Sequence, residues 1–353
     1  MSKPFLLTLE YPPQYGGVAK YLEGEVKASP VPVVVIRAQD LMWRLWPKWL
    51  PLLWRVNAPA FTKEGVGGWL WISHVLPIGY IALVWKCFFK TPYRVYLHGL
   101  DLIRPRRSTW KSFWVKIILN NANEIITNSQ ATAQLLNYYG IDANRARVQY
   151  PRIGAPTCTQ EGVGGRLRAQ YNLENKPILL TISRLVKRKG IDLVIKSMPA
   201  VWKDIPDLVY VVVGEGEERE YLEDIKKTVI PSLSRNLVDN RRDPSTPLRS
   251  AQDDVVIFTG PVSDEAKYGW LAACDCFILT PIDDPNDFEG YGIVYKEAQM
   301  FGKPVIGSRV GGVPEAIGDE GVLVEAGNIE QIINSVVRCI KKQGPQSEPY
   351  SNP

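Results

Sequence analysis

Residues 277–306 read FILTPIDDPNDFEGYGIVYKEAQMFGKPVI, which is an apolar run, a helical run and a second apolar run. Short apolar runs bounded by Gly and Pro are typical of strands buried on both faces of a parallel sheet. We therefore predict a strand over 277–279, a helix over 292–301 and a strand over 304–306. This order is a βαβ unit, and it predicts an α/β fold with a doubly wound parallel sheet.

The same alternation occurs in both halves of the 353-residue chain, whose length exceeds what one hydrophobic core usually serves. We predict two doubly wound, Rossmann-like domains at 1–155 and 156–340, and a disordered polar tail at 341–353. Ligands bind beyond the carboxyl ends of strands in such sheets, so we expect the domains to face a central cleft. The polar segment 229–254 is predicted to be a partly disordered insertion.

The composition excludes several classes of protein. With 45% hydrophobic and 22% charged residues, the chain is not disordered as a whole. Five cysteines without a CxxC pair, and only two histidines, argue against a zinc site and a disulfide framework, and favour free thiols in a reducing cytoplasm. The N-terminus lacks the long apolar core of a signal peptide. The apolar stretch 69–85 is at the lower length limit for a membrane span, and a strand, a turn and a buried helix explain it equally well.

Charge is unevenly distributed along the chain. The net charge is +5 overall, but it is +11 over 1–155 and −6 over 156–353, and nine of the eleven tryptophans lie in the first part. Two segments there, 41–56 and 104–116, combine tryptophan with cations and contain no acidic residue. This combination suits a membrane–water interface, and a core helix with a solvated face is the alternative. The candidate membrane-facing residues are Trp43, Arg44, Trp46, Lys48, Trp49, Arg106, Arg107 and Lys111.

Two loops have the composition of anion-binding sites. Residues 183–190 read SRLVKRKG after a predicted strand, and four cations within six positions suit a diphosphate. Arg184 can grip phosphate with two hydrogen bonds, and Lys189 can supply a point charge. Gly16 and Gly17 follow the first predicted strand, where N–H groups at a helix start attract phosphate. A solvated basic loop and a simple tight turn are the respective alternatives.

Glu289 and Glu297 are eight residues apart, slightly more than two helical turns. Glu289 is predicted to precede a helix that begins near Gly292, and Glu297 to lie inside that helix. The two carboxylates would then meet different parts of one elongated ligand, while Gly290 and Gly292 free the backbone N–H groups at the helix start. A capped helix with a solvated Glu297 is the alternative.

His98 begins the sequence HGLD (98–101) at the end of another predicted strand. A neutral histidine there can hydrogen-bond a sugar hydroxyl, and we expect His98 to titrate near pH 7. A structural histidine with satisfied hydrogen bonds is the alternative.

Together these motifs resemble the family-four retaining glycosyltransferases of the GT-B fold. The resemblance covers about residues 5–340, with the motifs in the family's order and roughly its spacing. It is carried by EGYGIVYKEAQMFGKPVIGSRVGGVPE (289–315), SRLVKRKG (183–190), VGEGEE (213–218), HGLD (98–101) and PPQYGGVAKY (12–21). Within the family, the first two motifs are most similar to bacterial lipid and polysaccharide mannosyltransferases, including the phosphatidylinositol type that uses GDP-mannose.

The resemblance implies a role for each candidate residue. Arg184 and Lys189 would hold the donor diphosphate, with help from the N–H groups of Gly16 and Gly17, and Glu297 would bind the ribose hydroxyls. Glu289 would contact hydroxyls of the donor sugar, beside the N–H groups of Gly290, Tyr291 and Gly292. His98 would contact the sugar near its 6-hydroxyl. Gly214 and Glu215 would lie near the base.

The resemblance also implies the chemistry. Fixed cations and helix-start N–H groups stabilise the departing diphosphate, so we expect no metal ion and no cofactor. Asp283-Asp284 is the nearest approach to a metal-binding DxD cluster, and we interpret it as a loop. The family retains the anomeric configuration, and the resemblance implies front-face attack on a GDP- or UDP-sugar by a lipid-linked or saccharide acceptor. The first domain would bind the acceptor and dock on an anionic membrane, which places the protein in the cytoplasm at the inner face of the plasma membrane.

The sequence departs from the family pattern in three places. Residues 150–154 read YPRIG where the family often has Asn-Gly-Val/Ile-Asp, the insertion at 229–254 lengthens a loop near the base site, and the sequence ends soon after Ile340. Family members commonly continue to a helix that crosses back to the first domain, and without it we expect a looser domain pair or lower activity.

Three other functions fit parts of the sequence. One is a catalytically weakened relative that still binds nucleotide-sugars or membranes, and another is a GT-B-fold epimerase that needs no acceptor. Nucleic-acid binding is disfavoured because no nucleic-acid motif accompanies the basic half.

Overall fold

The computed structural model describes residues 3–13, 16–37, 68–154, 160–237 and 255–342, and only the backbone of 160, 161 and 230–237. The chain forms two compact units. The first unit contains Met1–Gly154 together with Pro285–Gly292, and the second contains Ala155–Asp284 together with Ile293–Pro353.

The first unit contains a six-stranded sheet in which every strand pair is parallel. The strand order is β2-β1-β3-β4-β5-β6. The strands are β1 (Phe5–Thr8), β2 (Val34–Arg37), β3 (Leu70–Ile72), β4 (Tyr93–Leu97), β5 (Glu124–Thr127) and β6 (Ala146–Val148). The helices are α1 (Gly17–Lys27), α2 (Gly79–Phe89), α3 (Leu100–Ile103), α4 (Thr109–Asn121) and α5 (Gln130–Gln134), with 3-10 turns at Arg104–Arg107, Leu135–Tyr139 and Ala143–Arg145.

Successive residues of these strands bury opposite faces of the sheet. Leu7 and Val95 belong to the larger core, which includes residues of α2 and α4. Their neighbours Leu6 and Tyr96 belong to the core on the other face, together with Tyr21 of α1. Strands buried on both faces explain why the sequence shows continuous apolar runs instead of an alternating pattern.

The apolar stretch 69–85 contains the short strand β3, a turn and most of the buried helix α2. Ile81, Ala82 and Trp85 of α2 pack into the larger core of the first unit. Within the described part of the chain, no helix is both long and apolar enough to cross a membrane.

The second unit repeats the architecture with a second six-stranded parallel sheet, in the order β12-β11-β10-β7-β8-β9. The strands are β7 (Ile178–Ile182), β8 (Val209–Val213), β9 (Val256–Gly260), β10 (Cys276–Leu279), β11 (Val305–Ser308) and β12 (Val322–Val324). The helices are α6 (Gln160–Gln170), α7 (Ile191–Asp204), α8 (Arg219–Leu237), α9 (Asp264–Ala273), α10 (Ile293–Met300), α11 (Val313–Ile317) and α12 (Ile329–Lys342), with 3-10 turns at Lys187–Lys189 and Gly318–Glu320.

The doubly wound α/β prediction is confirmed in both units. Most strand and helix boundaries lie within two residues of the predicted ones, and two differ by more. The helix predicted over 190–198 is α7, which continues through Pro199 to Asp204, because Val201 and Trp202 are fully buried and the Trp202 indole donates a 2.8 Å hydrogen bond to the Leu208 carbonyl. Helix α8 extends to Leu237, so the first third of the predicted insertion is helical, whereas 238–254 and the predicted tail beyond Lys342 lie outside the described residues.

Candidate functional site

In the second unit, the predicted diphosphate loop follows β7 at the carboxyl edge of the sheet. We call residues 183–190 the basic turn. Its first residues are joined to the loop after β8, since the Ser183 N–H donates to the Val213 carbonyl (3.0 Å) and the Leu185 N–H to the Glu215 carbonyl (2.9 Å). The loops after the two strands therefore form one connected backbone layer.

The cations of the basic turn differ in burial. Arg184 and Lys187 are exposed, whereas Arg188 is buried and Lys189 retains only 9% of its accessible surface. The turn is also tied to the loop after β10, because the Ile282 N–H donates to the Arg188 carbonyl (2.8 Å). Since lysine is rarely buried without an electrostatic reason, this burial disfavours a simple solvated loop.

Gly214, predicted to lie near the base, makes the close approach of these loops possible. Its φ is +134°, and a Cβ at this position would overlap the Ser183 carbonyl oxygen. Only glycine combines that backbone conformation with that contact. Glu215 is largely exposed and lies 3.9 Å from the guanidinium of Arg219.

Glu297 is buried inside α10, with 5% of its surface exposed, and it is not the solvated carboxylate of the alternative interpretation. Its Oε1 accepts a 2.8 Å hydrogen bond from the Nζ of Lys267, which lies in the first turn of α9. Lys267 was not predicted as a site residue, because it lies 30 positions upstream of Glu297 on another helix and no spacing rule connects the two residues.

In the first unit, Gly16 and Gly17 lie where the sequence predicts, at the start of α1 after β1. Gly16 is the N-cap residue in an extended conformation, and no side chain of a described residue caps this helix start. The first turn of α1 contains no acidic residue. No acidic residue of α1 itself offsets the positive end of the helix dipole, but Glu10 Oε2 would lie 3.3 Å from a Cβ placed on Gly16, so a carboxylate is already close to this helix start.

His98 ends β4 and belongs to a polar cluster. The N–H groups of His98 and Gly99 donate to Asp101 Oδ1 (3.1 and 3.0 Å), and the rings of Tyr21 and His74 lie 5.3 and 5.9 Å from the His98 ring. His98 Nε2 is shielded from solvent and has no hydrogen-bond partner among the described residues.

Burial sets the protonation states in this cluster. It lowers the pKa of His98 to about 3, with a smaller contribution from His74, so His98 is neutral at physiological pH. The expectation that this residue titrates near pH 7 is therefore wrong, because desolvation disfavours the imidazolium. Burial also raises the pKa of Asp101 to about 7, against the opposing effect of its backbone hydrogen bonds. Asp101 was not predicted as a site residue.

The segment Pro285–Gly292 packs against this cluster within the first unit. A Cβ at Gly290 would overlap the His98 carbonyl oxygen and lie 2.7 Å from Asn128 Nδ2, so only glycine allows this approach. Glu289 is buried, and the ring of Tyr291 lies 5.5 Å from that of Tyr150. The structure therefore brings His98 together with the segment that contains Glu289, Gly290, Tyr291 and Gly292.

The predicted membrane-facing residues are only partly described. Trp43, Arg44, Trp46, Lys48 and Trp49 lie outside the described residues. Arg107 and Lys111 are exposed, and Arg107 donates to Asn286 Oδ1 (3.0 Å). Arg106 turns inward, since it donates to the Leu135 carbonyl (3.2 Å) and lies over the Tyr138 ring (4.4 Å).

No group of three or more His, Cys, Asp or Glu side chains is arranged to hold a metal ion in the described ranges. The four described cysteines are free thiols, and three of them are buried. Cys158 lies outside the described residues.

Both units are similar to known protein families and solved structures. Residues 19–153 match the family described as Glycosyltransferase Family 4, and residues 176–342 match the family described as Glycosyl transferases group 1. The solved structure of HepE from Anabaena, in complex with UDP, is 19% identical with a TM-score of 0.72 and covers 97% of this chain and 91% of its own. The catalytic domain of starch synthase IV from Arabidopsis thaliana has a TM-score of 0.69 at 13% identity, over 98% of this chain and 92% of its own. These likenesses show that the fold is GT-B.

Two curated proteins are similar to this chain in sequence. A GDP-mannose-dependent alpha-(1-6)-phosphatidylinositol monomannoside mannosyltransferase from Mycolicibacterium smegmatis is 31% identical over 48% of this chain, and the match spans 40% of that relative's length. A GDP-mannose-dependent monoacylated alpha-(1-6)-phosphatidylinositol monomannoside mannosyltransferase from Corynebacterium glutamicum is 30% identical over 96% of this chain and 88% of its own length. With both units matched and this second relative aligned over nearly the whole chain, the chain belongs to glycosyltransferase family 4 and has the GT-B fold.

Proposed function

We propose that the protein transfers a hexose, with mannose from GDP-mannose as the first candidate, to a lipid-linked or polysaccharide acceptor. The reaction retains the anomeric configuration and needs no metal ion. The observation that carries this proposal is the basic turn, which places the buried Lys189 and the exposed Arg184 at the carboxyl edge of a doubly wound sheet. The names of the two mannosyltransferase relatives support the choice of donor and of a lipid acceptor.

In the second unit, the proposed task is to bind the nucleoside diphosphate. Cleavage of the sugar–phosphate bond leaves negative charge on the diphosphate while the sugar becomes oxocarbenium-like. A preorganised cation in a site of low polarity stabilises that charge without reorganising during the reaction. We assign this role to Lys189 and Arg184, assign ribose binding to Glu297, and place the base beside Gly214 and Glu215.

In the first unit, the proposed task is to bind the donor sugar. The carboxylate of Glu289 would accept hydrogen bonds from the sugar hydroxyls. The N–H groups of Gly290, Tyr291 and Gly292 would donate hydrogen bonds to them. His98 is neutral, so its Nε2 can take part in a hydrogen bond with a hydroxyl without adding charge. The N–H groups of Gly16 and Gly17 at the start of α1 would add a contact with phosphate.

The proposed reaction is a front-face displacement at the anomeric carbon of the donor sugar. The acceptor hydroxyl oxygen attacks the anomeric carbon from the face that the diphosphate leaves. The bond from that carbon to the phosphate oxygen breaks, and its electron pair goes to the diphosphate. The departing phosphate oxygen takes the proton of the acceptor hydroxyl, so the products are a glycoside of the same anomeric configuration and a nucleoside diphosphate.

A thermal-shift panel tests the donor. We expect GDP-mannose to raise the melting temperature more than UDP-glucose or UDP-N-acetylglucosamine, because a ligand that binds only the folded state stabilises it by mass action. The shift should be the same with and without EDTA. A shift that requires a divalent metal would contradict the metal-independent mechanism, and no shift with any nucleotide-sugar would contradict donor binding.

We also propose that the first unit docks on an anionic membrane, at the inner face of the plasma membrane. Trp110 and Phe113 of α4 are 63% and 54% exposed, and their rings stack at 6.4 Å. Lys111 lies beside them, and residues 104–116 contain no acidic residue. Exposed aromatic rings next to cations suit the interface of an anionic membrane.

Co-sedimentation with vesicles that contain phosphatidylglycerol tests this docking. The wild-type protein should bind at low salt and be released as salt rises, because each cation near the surface contributes about 1 kcal/mol and this attraction is screened. The variant W110A/F113A should bind more weakly, whereas Phe88→Ala, which removes another exposed aromatic ring, should have little effect. Binding that is indifferent to salt, or equal loss in both variants, would contradict the proposal.

A further inference from the structure

The contact between Lys267 and Glu297 is an ion pair between two helices of the second unit. The Nζ to Oε1 distance is 2.8 Å, and the two side chains retain 14% and 5% of their accessible surface. A buried carboxylate is costly unless a counter-charge and hydrogen bonds compensate it. Lys267 is therefore part of the reason that a charged carboxylate can lie at this position.

We infer that Lys267 is a positioning residue for nucleoside recognition. It keeps the Glu297 carboxylate ionised and oriented so that this group can accept hydrogen bonds from the two ribose hydroxyls of the donor. The inference rests on the proposed ribose role of Glu297, and it adds a residue that does not itself touch the donor.

The surroundings of Lys267 hold its ammonium group in place. Lys267 is the fourth residue of α9, a helix whose start is capped by Ser263. Its Nζ lies 4.4 Å from the centre of the Tyr268 ring, which stacks on Phe301 directly after α10. This packing joins the start of α9 to the end of α10 and limits the positions that the ammonium can take.

A second carboxylate also contacts Lys267, but less closely. Asp264 Oδ1 lies 3.6 Å from the Nζ, and its side chain is half exposed, so solvent weakens this attraction. The shorter and more buried contact is the one to Glu297. Asp264 therefore provides a matched control, since its loss removes a charge next to Lys267 without touching the proposed ribose site.

The topology places both side chains where a ligand binds. Helix α10 follows β10, and helix α9 follows β9, so both helices begin at the carboxyl edge of the parallel sheet. Lys267 lies in the first turn of its helix, and Glu297 in the second turn of its own. This edge is where doubly wound sheets bind nucleotides.

The test compares GDP and UDP with their 2′,3′-dideoxy forms by isothermal titration calorimetry. A charged carboxylate that accepts from ribose hydroxyls should make the wild-type protein prefer the ribose form by about tenfold or more. In Lys267→Met, this preference should fall to near one while the dideoxy nucleotide binds as before. Lys267→Arg should keep most of the preference, and Asp264→Asn should keep all of it.

Two results would overturn the inference. One is a Lys267→Met variant that still prefers the ribose nucleotide as the wild-type protein does, and the other is a variant whose affinities for the ribose and dideoxy nucleotides fall equally. Glu297→Gln separates this failure from that of the proposed function. If Glu297→Gln also keeps the preference, the ribose role itself is wrong; if it loses the preference and Lys267→Met does not, only the role of Lys267 is wrong.

A folding defect in Lys267→Met does not prevent the test. The double variant K267M/E297Q removes both charges, and loss of both partners of a buried pair is tolerated better than loss of one. The double variant should therefore recover stability and show the same preference as Glu297→Gln alone. A double variant that is less stable than Lys267→Met would show that Lys267 acts through another contact, and would overturn the inference.

Discussion

Replacing Lys189 with alanine is expected to lower kcat for sugar transfer about 10²–10³-fold, the usual effect of removing one preorganised group that stabilises developing charge. Lys189 is the most buried lysine of the basic turn, where its charge is screened little by water. The loss should therefore exceed what an exposed cation gives. Steady-state kinetics with GDP-mannose, together with nucleotide affinity by calorimetry, measures the effect.

Lys187→Ala is the matched control, because it removes the same charge two positions away from an exposed side chain. We expect only a small change in kcat, as exposed charges contribute little in water. Equal losses in the two variants would mean that the net charge of the turn matters and not the position of Lys189. A Lys189→Ala variant that folds and transfers sugar at the wild-type rate would remove this residue from the mechanism.

The substitution Gly214→Ala is expected to destabilise the second unit by about 3 kcal/mol or more, because it combines a strained backbone with a direct overlap. The φ of +134° is rare for any residue with a Cβ, and the added atom would meet the Ser183 carbonyl oxygen. Relief of that overlap must displace Ser183, which precedes Arg184. Nucleotide affinity of the folded fraction should therefore fall as well.

Gly302→Ala separates backbone strain from the overlap. Gly302 also has a positive φ, +67°, but a Cβ there would meet no atom of the described residues within 4 Å. We expect this control to cost only about 1–2 kcal/mol, the usual cost of a left-handed residue, with nucleotide affinity unchanged. Urea denaturation of both variants measures the difference, and equal losses of stability would show that the contact with Ser183 is unimportant.

Much of the fold could be predicted because its local signals agree with its tertiary structure. Each strand of a sheet that is buried on both faces is a short apolar run, and the breaks at Gly and Pro separate these runs from the helices. The apolar run ILLTI predicts a strand over 178–182, and β7 has these limits. Ser129 is a residue type preferred at a helix start, and it caps α5 by accepting a 3.0 Å hydrogen bond from the Thr132 N–H.

The failures arose where tertiary contacts outweigh local preference. Pro199 predicts a helix end, yet the burial of Trp202 carries α7 through it to Asp204. The segment 285–292 follows a strand of the second unit in sequence but packs with the first unit. Neither result is visible in a window of a few residues, because each depends on contacts with distant parts of the chain.

The candidate site was predictable in its motifs but not in its electrostatics. The basic turn and the two glutamates stand out by composition and spacing. The pKa of His98 depends on burial, which the sequence HGLD does not reveal. Lys267 reaches Glu297 from a separate helix, so its importance appears only once α9 and α10 are placed side by side.

We propose that this chain moves a sugar from a nucleotide donor to a hydroxyl acceptor with retention and without metal. The most direct measurement incubates the protein and EDTA with GDP-mannose, UDP-glucose or UDP-N-acetylglucosamine and with phosphatidylinositol lipids, and determines the anomeric configuration of any glycolipid by NMR. We predict one glycolipid product with the configuration of its donor. An inverted product, a requirement for added metal, or conversion of the nucleotide-sugar without transfer would contradict this proposed reaction.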